Sequence, residues 1–180
     1  MSLPWQTDRL ILRRFEIADA PALSAYRSAP EVALYQSWTA PFSLIDAEKM
    51  IDSFGSVLLG EPDEWLQIAV EERVTGTVIG DCALRVDSPY PLSATIGFTL
   101  APESQRQGYA QEMVGRLLQY LKDDLTVTAI HADCDVRNKG SIRLLERLGF
   151  TRLPGARRAF FKGECCEEYD FELLFGDDEG

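Results

Sequence analysis

The sequence contains little histidine, little cysteine and comparatively little positive charge. One histidine, His131, and four cysteines occur in 180 residues, and no cysteine pair has the Cys-x-x-Cys spacing of a zinc site. We therefore expect no metal centre, and we expect reduced thiols. The 18 lysines and arginines are outnumbered by 29 aspartates and glutamates, which gives a net charge of −11. Because nucleic-acid binding needs a basic surface, this balance argues against a nucleic-acid partner.

Long apolar segments are absent as well. The chain has no uninterrupted apolar run of about eighteen residues, which is the length that a membrane span needs. Its first residues also lack the basic segment and the following apolar segment of a secretory signal. These absences predict a cytoplasmic protein with no membrane partner. The length, with 46% hydrophobic and 26% charged residues, predicts a single domain over residues 1–180 with a frayed acidic tail at 176–180. A monomer and a homodimer both remain open.

Hydrophobic periodicity predicts alternating strands and helices. Strands are expected at about 7–15, 65–72, 77–86, 94–100 and 125–134, with two more around a turn at 162–164. Helices are expected at about 19–27, at 43–54, after residue 110 and at 138–148, and residues 28–42 and 87–92 are expected to be loops. Asp19 and Ser43 have the residue types of helix N-caps. The order of these elements predicts a mixed α/β domain.

Residues 94–118 form the stretch around which the rest is organised. A strand through Phe98 and Leu100 is ended by Pro102, because proline cannot donate to a ladder. A polar turn and an amphipathic helix follow. The first N–H groups of a helix are unpaired, and they carry partial positive charge that suits a phosphate. Gly108 would let a ligand approach the backbone closely, and Arg106 adds a positive charge.

Three motifs resemble one family. The pattern Gln105-x-x-Gly108-x-Ala110 is similar to the pyrophosphate loop of the GCN5-related N-acetyltransferases, the GNAT superfamily. Residues 7–13, TDRLILR, resemble the opening strand of its Rim-type branch of ribosomal-protein N-terminal acetyltransferases. Residues 138–150 resemble that branch's Asn-x-x-Ser helix, which ends in Gly-Phe. The order and spacing of the motifs also fit, so the resemblance covers nearly the whole chain.

The resemblance implies a fold and an activity. The fold is an α/β (α+β) domain with a mostly antiparallel sheet of about seven strands, splayed between the fourth and fifth strands and flanked by about four helices. The activity is direct transfer of an acetyl group from acetyl-CoA, as co-substrate, to a primary amine, either a peptide N-terminus or a small amine. The implied cofactor-binding residues are Phe98, Thr99, Leu100, Gln105, Arg106, Gln107, Gly108, Tyr109, Ala110, Asn138 and Ser141.

The catalytic groups are less clear from the sequence. Many relatives carry a tyrosine acid about seven residues after the asparagine, but this chain has Leu145 there, so Ser141 is the candidate acid and Asn138 is either a helix cap or a ligand contact. Relatives often carry a glutamate base at the position of Thr95. The base is therefore open, and the neighbouring carboxylates and the lone histidine are weak candidates: Asp81, Glu103, Asp133, Asp135 and His131.

Aromatic residues concentrate in the segment between the first two helices. The resemblance implies that this segment, with Tyr35 and Trp38, helps to bind the acceptor, although these rings and Phe42 could equally cap the core. Two other functions stay open. The missing tyrosine and glutamate would suit a non-catalytic acyl-CoA-binding module, and the helix start would suit a nucleotide-binding protein. The second is weaker, because a dinucleotide fingerprint needs three glycines.

Overall fold

The computed structural model describes residues 2–88 and 93–175, with five α-helices and nine β-strands in these ranges. The helices are α1 (Ala20–Ser28), α2 (Pro30–Ala33), α3 (Leu44–Phe54), α4 (Tyr109–Asp123) and α5 (Lys139–Arg147). The strands are β1 (Trp5–Gln6), β2 (Leu10–Arg13), β3 (Trp65–Glu72), β4 (Thr77–Asp87), β5 (Ser93–Leu100), β6 (Ala129–Asp135), β7 (Thr151–Arg152), β8 (Arg157–Phe161) and β9 (Glu164–Leu174). The predicted tail at 176–180 and most of the predicted loop at 87–92 lie outside the described residues.

The strands form one open sheet in the order β1-β2-β3-β4-β5-β6-β9-β7, with β8 paired to β9. Every neighbouring pair is antiparallel except β5 and β6, which run parallel. This confirms the predicted mixed, mostly antiparallel sheet. The parallel ladder covers only Ser93–Thr95 on β5 and Ala129–His131 on β6. These are the fourth and fifth predicted strands, and beyond the short ladder they share no pair.

Each face of the sheet carries its own hydrophobic core. Helix α4 covers one face, where Met113, Leu117 and Leu121 are fully buried. Helices α1 and α3 cover the other face through Leu23 and Ile51. Burying each such side chain contributes about 1.5–3 kcal/mol. The sheet is thus held between two helical layers.

The structure departs from the predicted elements in three places. The two extra strands, β1 and β7, are two residues long, too short for a periodic signal. The one-turn helix α2 lies inside the predicted loop 28–42. Strand β6 begins at Ala129 and not at Leu125, because Thr126 has a left-handed φ of 51° and the Val127 amide donates to the Leu121 carbonyl.

Asp19 and Ser43 directly precede α1 and α3, as predicted, but only Ser43 caps its helix with its side chain. The Ser43 hydroxyl accepts from the Asp46 amide and caps α3. Gly149 follows α5 with a φ of 91°, as a C-terminal glycine cap does. Asp19 does not cap α1 with its side chain, because its carboxylate accepts from the Glu16 amide and pairs with Arg13 at 2.7 Å. Within the described residues no helix has both the length and the apolarity to cross a membrane.

Candidate active site

Two cavities meet where β5 and β6 separate. The larger has a volume of about 490 Å³ and is lined by β5, the start of α4 and α5. The smaller has a volume of about 380 Å³, and its lining includes the end of α1 and the segment after α2. Both are lined by Tyr35, Gln36, Phe98, Thr99, Asn138 and Ser141. Because six residues belong to both, the cavities are two halves of one cleft through the splayed sheet.

The larger cavity concentrates positive charge. Its lining contains one carboxylate, Glu31, and five cationic side chains, which are Arg106, Arg137, Lys139, Arg143 and Arg147. We call it the basic cavity. In a chain with a net charge of −11, this clustering makes a local site for an anion, because clefts lined by one sign of charge focus the field.

The start of α4 borders the basic cavity. Gly108 precedes the helix with a φ of 85°, a left-handed conformation that favours glycine. The first turn closes when the Glu112 amide donates to the Gly108 carbonyl. The amides before it have no acceptor within the helix and are available to a ligand. The helix begins at Tyr109, so Tyr109 and Ala110 belong to its first turn and not to the predicted loop.

Arg9, in the turn just before β2, anchors this helix start. Its guanidinium donates to the Gln107 carbonyl at 2.9 Å and pairs with Glu112 at 2.7 Å, and it lies 4.3 Å from the centre of the Tyr109 ring. The Thr7 hydroxyl donates to the same carboxylate at 2.6 Å. Burial would raise the pKa of Glu112, but the hydrogen bonds from Thr7 and Arg9 outweigh it and lower that pKa. The loop position thus depends on a network with the turn before β2.

Most of the predicted cofactor residues come together around the basic cavity. The lining contains Phe98, Thr99, Leu100, Gln105, Arg106, Gly108, Ala110, Asn138 and Ser141. Gln107 and Tyr109 do not line it. The Gln107 side chain donates to the Glu103 carbonyl at 2.7 Å, and the Tyr109 ring is buried under Arg9 with its hydroxyl donating to Glu72. These two side chains stabilise the loop from behind.

The backbone of β5 is open towards the cleft. Past Thr95 its ladder with β6 ends, while its ladder with β4 continues to the pair of Gly80 with Leu100. The backbone groups of residues 96–100 that point to the β6 side therefore have no strand partner. Such an edge pairs readily with an extended ligand.

The smaller cavity carries the opposite charge. Its lining contains three carboxylates, Asp81, Asp133 and Glu168, against one cation, Arg27. We call it the acidic cavity. Asp81 accepts from the Tyr26 hydroxyl and lies 3.5 Å from Arg27, and Glu168 pairs with Arg157 at 2.7 Å. Desolvation by burial raises the pKa of all three carboxyl groups.

The predicted acceptor residues both lie at the cleft. Tyr35 lines both cavities, and Trp38 lines the acidic one. The Trp38 indole donates to the Arg27 carbonyl at 3.0 Å, and its ring lies 4.1 Å from the Arg27 guanidinium. Phe42 lines neither cavity, because it packs into the core of α1 and α3. The aromatic segment therefore serves partly as a wall of the cleft and partly as core.

The candidate acid lies at the junction of the cavities. Asn138 caps α5 by accepting from the Ser141 amide at 3.2 Å, and both residues line both cavities. The capping and ligand-contact interpretations of Asn138 are thus compatible. Leu145, at the position of the missing tyrosine, is fully buried in the core. Ser141 is half-buried, and its hydroxyl has no hydrogen-bond partner in the part of the chain that the structure describes.

Several of the weak base candidates lie elsewhere. His131 lies 4.0 Å from Glu172 and lines neither cavity. Asp135 is buried and paired with Arg137 at 2.6 Å, and Glu103 is exposed and outside both cavities. Asp133 is exposed on β6 and lines the acidic cavity.

Sequence reasoning missed the cations of α5. Lys139, Arg143 and Arg147 recur at a spacing of four, which places them on one helix face. The same helix starts with the asparagine and serine of the recognised motif, so the spacing was a usable signal. The net charge of −11 for the whole chain hides this local cluster of positive charge on α5.

Comparisons with known proteins agree with this geometry. A family model described as an acetyltransferase (GNAT) domain matches residues 9–151. The uncharacterized N-acetyltransferase p20 of Bacillus licheniformis is 33% identical over 170 residues, which is 93% of this chain and 94% of that protein. A putative ribosomal-protein-serine acetyltransferase from Vibrio cholerae has a TM-score of 0.78 at 26% identity, covering 96% of this chain and 97% of that one. Spermidine N-acetyltransferase from Vibrio cholerae, in complex with CoA and spermine, has a TM-score of 0.77 at 22% identity over 93% and 96% of the two chains, a likeness of fold.

Proposed function

Since this chain belongs to the GNAT family of acetyltransferases, we propose that it transfers an acetyl group directly from acetyl-CoA to a primary amine. The observation that carries this proposal is the opposite charge of two adjoining cavities. One is lined by five cations and suits the phosphates of CoA, and the other is lined by three carboxylates and suits a protonated amine. Their shared lining is where the thioester and the amine would meet.

The residues of the basic cavity fit CoA. The start of α4, with Gly108 and Ala110, offers unpaired amides to a pyrophosphate, and Arg106 adds charge beside them. Arg143 and Arg147 on α5 provide cations for a further phosphate. The open edge of β5 at residues 96–100 suits the extended pantetheine arm. The solved spermidine N-acetyltransferase with the same fold contains CoA, which supports this assignment.

The chemistry requires few groups from the chain. Acetyl-CoA supplies an activated thioester, and the backbone amides of β5 would polarise its carbonyl. Ser141, at the junction of the cavities, would donate to the leaving sulfur. Tyr35 and Trp38 would form the wall against which the acceptor lies. The transfer is direct, because the nitrogen of the amine attacks the thioester without a covalent intermediate on the protein.

The test measures thiol release from acetyl-CoA in the presence of candidate acceptors. The panel should contain peptides with free N-termini and small polyamines such as spermine, since relatives of the same fold include both kinds of enzyme. We expect release above the hydrolysis background with at least one class. Tight CoA binding without release across the panel would contradict the proposal and favour the acyl-CoA-binding module.

A charge variant tests the cofactor half separately. Arg143→Gln combined with Arg147→Gln should raise the Kd of CoA at least tenfold by calorimetry, because two phosphate-facing cations are removed from the basic cavity. Arg158→Gln is the control, since this exposed arginine on β8 lines neither cavity. Equal Kd values for the double variant and the control would refute the placement of CoA.

A further inference from the structure

The acidic cavity contains one carboxylate that the protein leaves free. Asp81 is 2% exposed and occupied by Tyr26 and Arg27, and Glu168 is occupied by Arg157. Asp133 has no hydrogen bond and no ion pair in the described ranges 2–88 and 93–175, and its side chain is open to the cavity. We propose that Asp133 is the general base that takes a proton from the acceptor ammonium. This inference rests on the proposed acetyl transfer.

The position of Asp133 follows from the sheet register. The last pair of the parallel ladder joins Thr95 on β5 to His131 on β6. Asp133 is two residues further, so it is the first residue on the same face past the point where the strands separate. It therefore lies at the opening of the splay, close to where Asn138 and Ser141 begin α5. Strand β5 itself has no carboxylate, and Thr95 is bonded to Asp87 at 3.2 Å.

The pKa of Asp133 is raised above the ordinary aspartate value, which suits a base. Burial is the largest influence and raises its pKa, and the charge of Asp170 raises it further, while Arg157 lowers it. Asp170 faces Asp133 directly across the β6–β9 ladder, and Glu168 lies two residues along β9. Arg157 on β8 is shared between Glu168 and Asp170. Arg27 of α1 faces the same cavity but pairs with Asp81.

The protons of the reaction balance with this assignment. An acceptor ammonium gives one proton to the Asp133 carboxylate, which later releases it to water. The neutral amine then forms the new C–N bond as the C–S bond breaks, and it loses a second proton in that step. The thiolate takes up one proton, so each turnover yields an amide, free thiol and one proton to solvent. Ser141 and Asp133 thus serve opposite ends of the transfer, the sulfur and the nitrogen.

The first experiment compares Asp133→Asn with Asp170→Asn. The two substitutions remove the same charge from the same face, but Asp170 does not line the cavity. We expect Asp133→Asn to lower kcat/KM for the amine about 10²-fold, the low end of general-base effects, and to remove the rise of kcat/KM with pH that belongs to Asp133. Asp170→Asn should keep the rate within about threefold and move that rise to lower pH, because a neighbouring negative charge is gone.

The second experiment does not depend on turnover. In the free protein, ¹³C NMR of the carboxyl carbons should show a resonance that is absent from Asp133→Asn and titrates above the ordinary aspartate range. A saturating cationic amine should move the midpoint of this titration to lower pH, because a nearby positive charge favours the carboxylate. Asp133→Glu should recover part of the lost rate, which a merely structural role would not predict. Thermal unfolding of each variant checks that the fold is retained.

The outcomes separate the base from the function itself. Thiol release that is absent in the unaltered protein would refute the proposed function, and the NMR titration would still measure the Asp133 carboxyl group. Thiol release that persists with an unchanged pH profile in folded Asp133→Asn would refute the base alone. A matching loss in Glu168→Gln but not in Asp133→Asn would transfer the role to Glu168 and overturn the proposal.

Discussion

The network between α4 and the turn before β2 offers a quantitative test of how the loop with Gly108 is held. The carboxylate of Glu112 accepts from Thr7 and from the Arg9 amide with one oxygen, at 2.6 and 2.8 Å. Its other oxygen accepts from the Arg9 guanidinium at 2.7 Å. Glu112→Gln keeps the shape of the side chain but replaces one acceptor oxygen with a donor. We therefore expect the loss of the hydrogen bonds to one of the two oxygens, either those from Thr7 and the Arg9 amide or that from the Arg9 guanidinium.

The size of the effect follows from exposure. A hydrogen bond to a charged group contributes about 1.5–3 kcal/mol when sheltered. The Arg9 side chain is 44% exposed and that of Glu112 is 17% exposed, so water replaces part of what the variant loses. We therefore expect the free energy of unfolding to fall by about 1–2 kcal/mol. For a domain of this size that lowers Tm by about 2–8 °C.

The assay is thermal unfolding as a function of pH. The pKa of Glu112 is lowered from its ordinary value of 4.5, so its contribution is complete above that value and is lost as pH falls through the folded pKa. Below it the glutamate is neutral and resembles glutamine. The stability gap between the unaltered protein and Glu112→Gln should thus be full at pH 7 and close below the ordinary glutamate pKa.

A matched control removes the same charge from an exposed site. Glu48 on α3 is exposed, so Glu48→Gln should change the free energy of unfolding by less than about 0.5 kcal/mol. A gap for Glu112→Gln no larger than that of the control at pH 7 would refute the anchoring role. A gap that persists unchanged in acid would show that shape, and not the negative charge, makes the difference.

Four further predictions concern the site, the backbone near it and helix α4. Gly108→Glu should weaken CoA binding strongly in calorimetry, and it should also cost about 1–2 kcal/mol in unfolding experiments, because Gly108 has a φ of 85°. Ser141→Ala should lower kcat about tenfold, or about 1.4 kcal/mol, with little change in KM for acetyl-CoA in steady-state kinetics; unchanged kcat would exclude the acid role. Gly80→Ala should destabilise by about 1–3 kcal/mol in denaturant unfolding, because its Cβ would lie 2.2 Å from the Thr99 carbonyl oxygen. Gly115→Ala, with open space in α4, should stabilise by about 0.4–1 kcal/mol.

Local patterns were sufficient for most of the fold. The strand, turn and helix at residues 94–118 appear where periodicity and Pro102 predict them, and Ser43 caps its helix through a bond to a residue three positions away. Elements defined by distant partners were not predictable in this way. Trp5 belongs to a two-residue strand and is buried because its ring packs 4.5 Å from Tyr120. No short window of sequence contains that contact.

The candidate site shows the same division. The loop with Gly108 was predicted because its use depends on neighbouring residues, a tight turn followed by a helix. The carboxylates could not be ranked, because a base is distinguished by lacking a partner, and partners are set by the tertiary fold. Asp135 has a partner two residues along the chain, in Arg137, but whether Asp133 is free depends on Asp170 on the adjacent strand β9 and on Arg157 on β8.

The burial of Leu145 explains why the proposed acid has to come from the first turn of α5. Leu145 is one turn beyond Ser141 but packs into the core, with an exposed fraction of 0%, so a phenol at that position would have to displace core side chains before it reached the cleft. Ser141 is the hydroxyl that α5 already presents to both cavities. Its backbone is fixed by the Asn138 cap at 3.2 Å, so the bond that begins the helix also positions the hydroxyl.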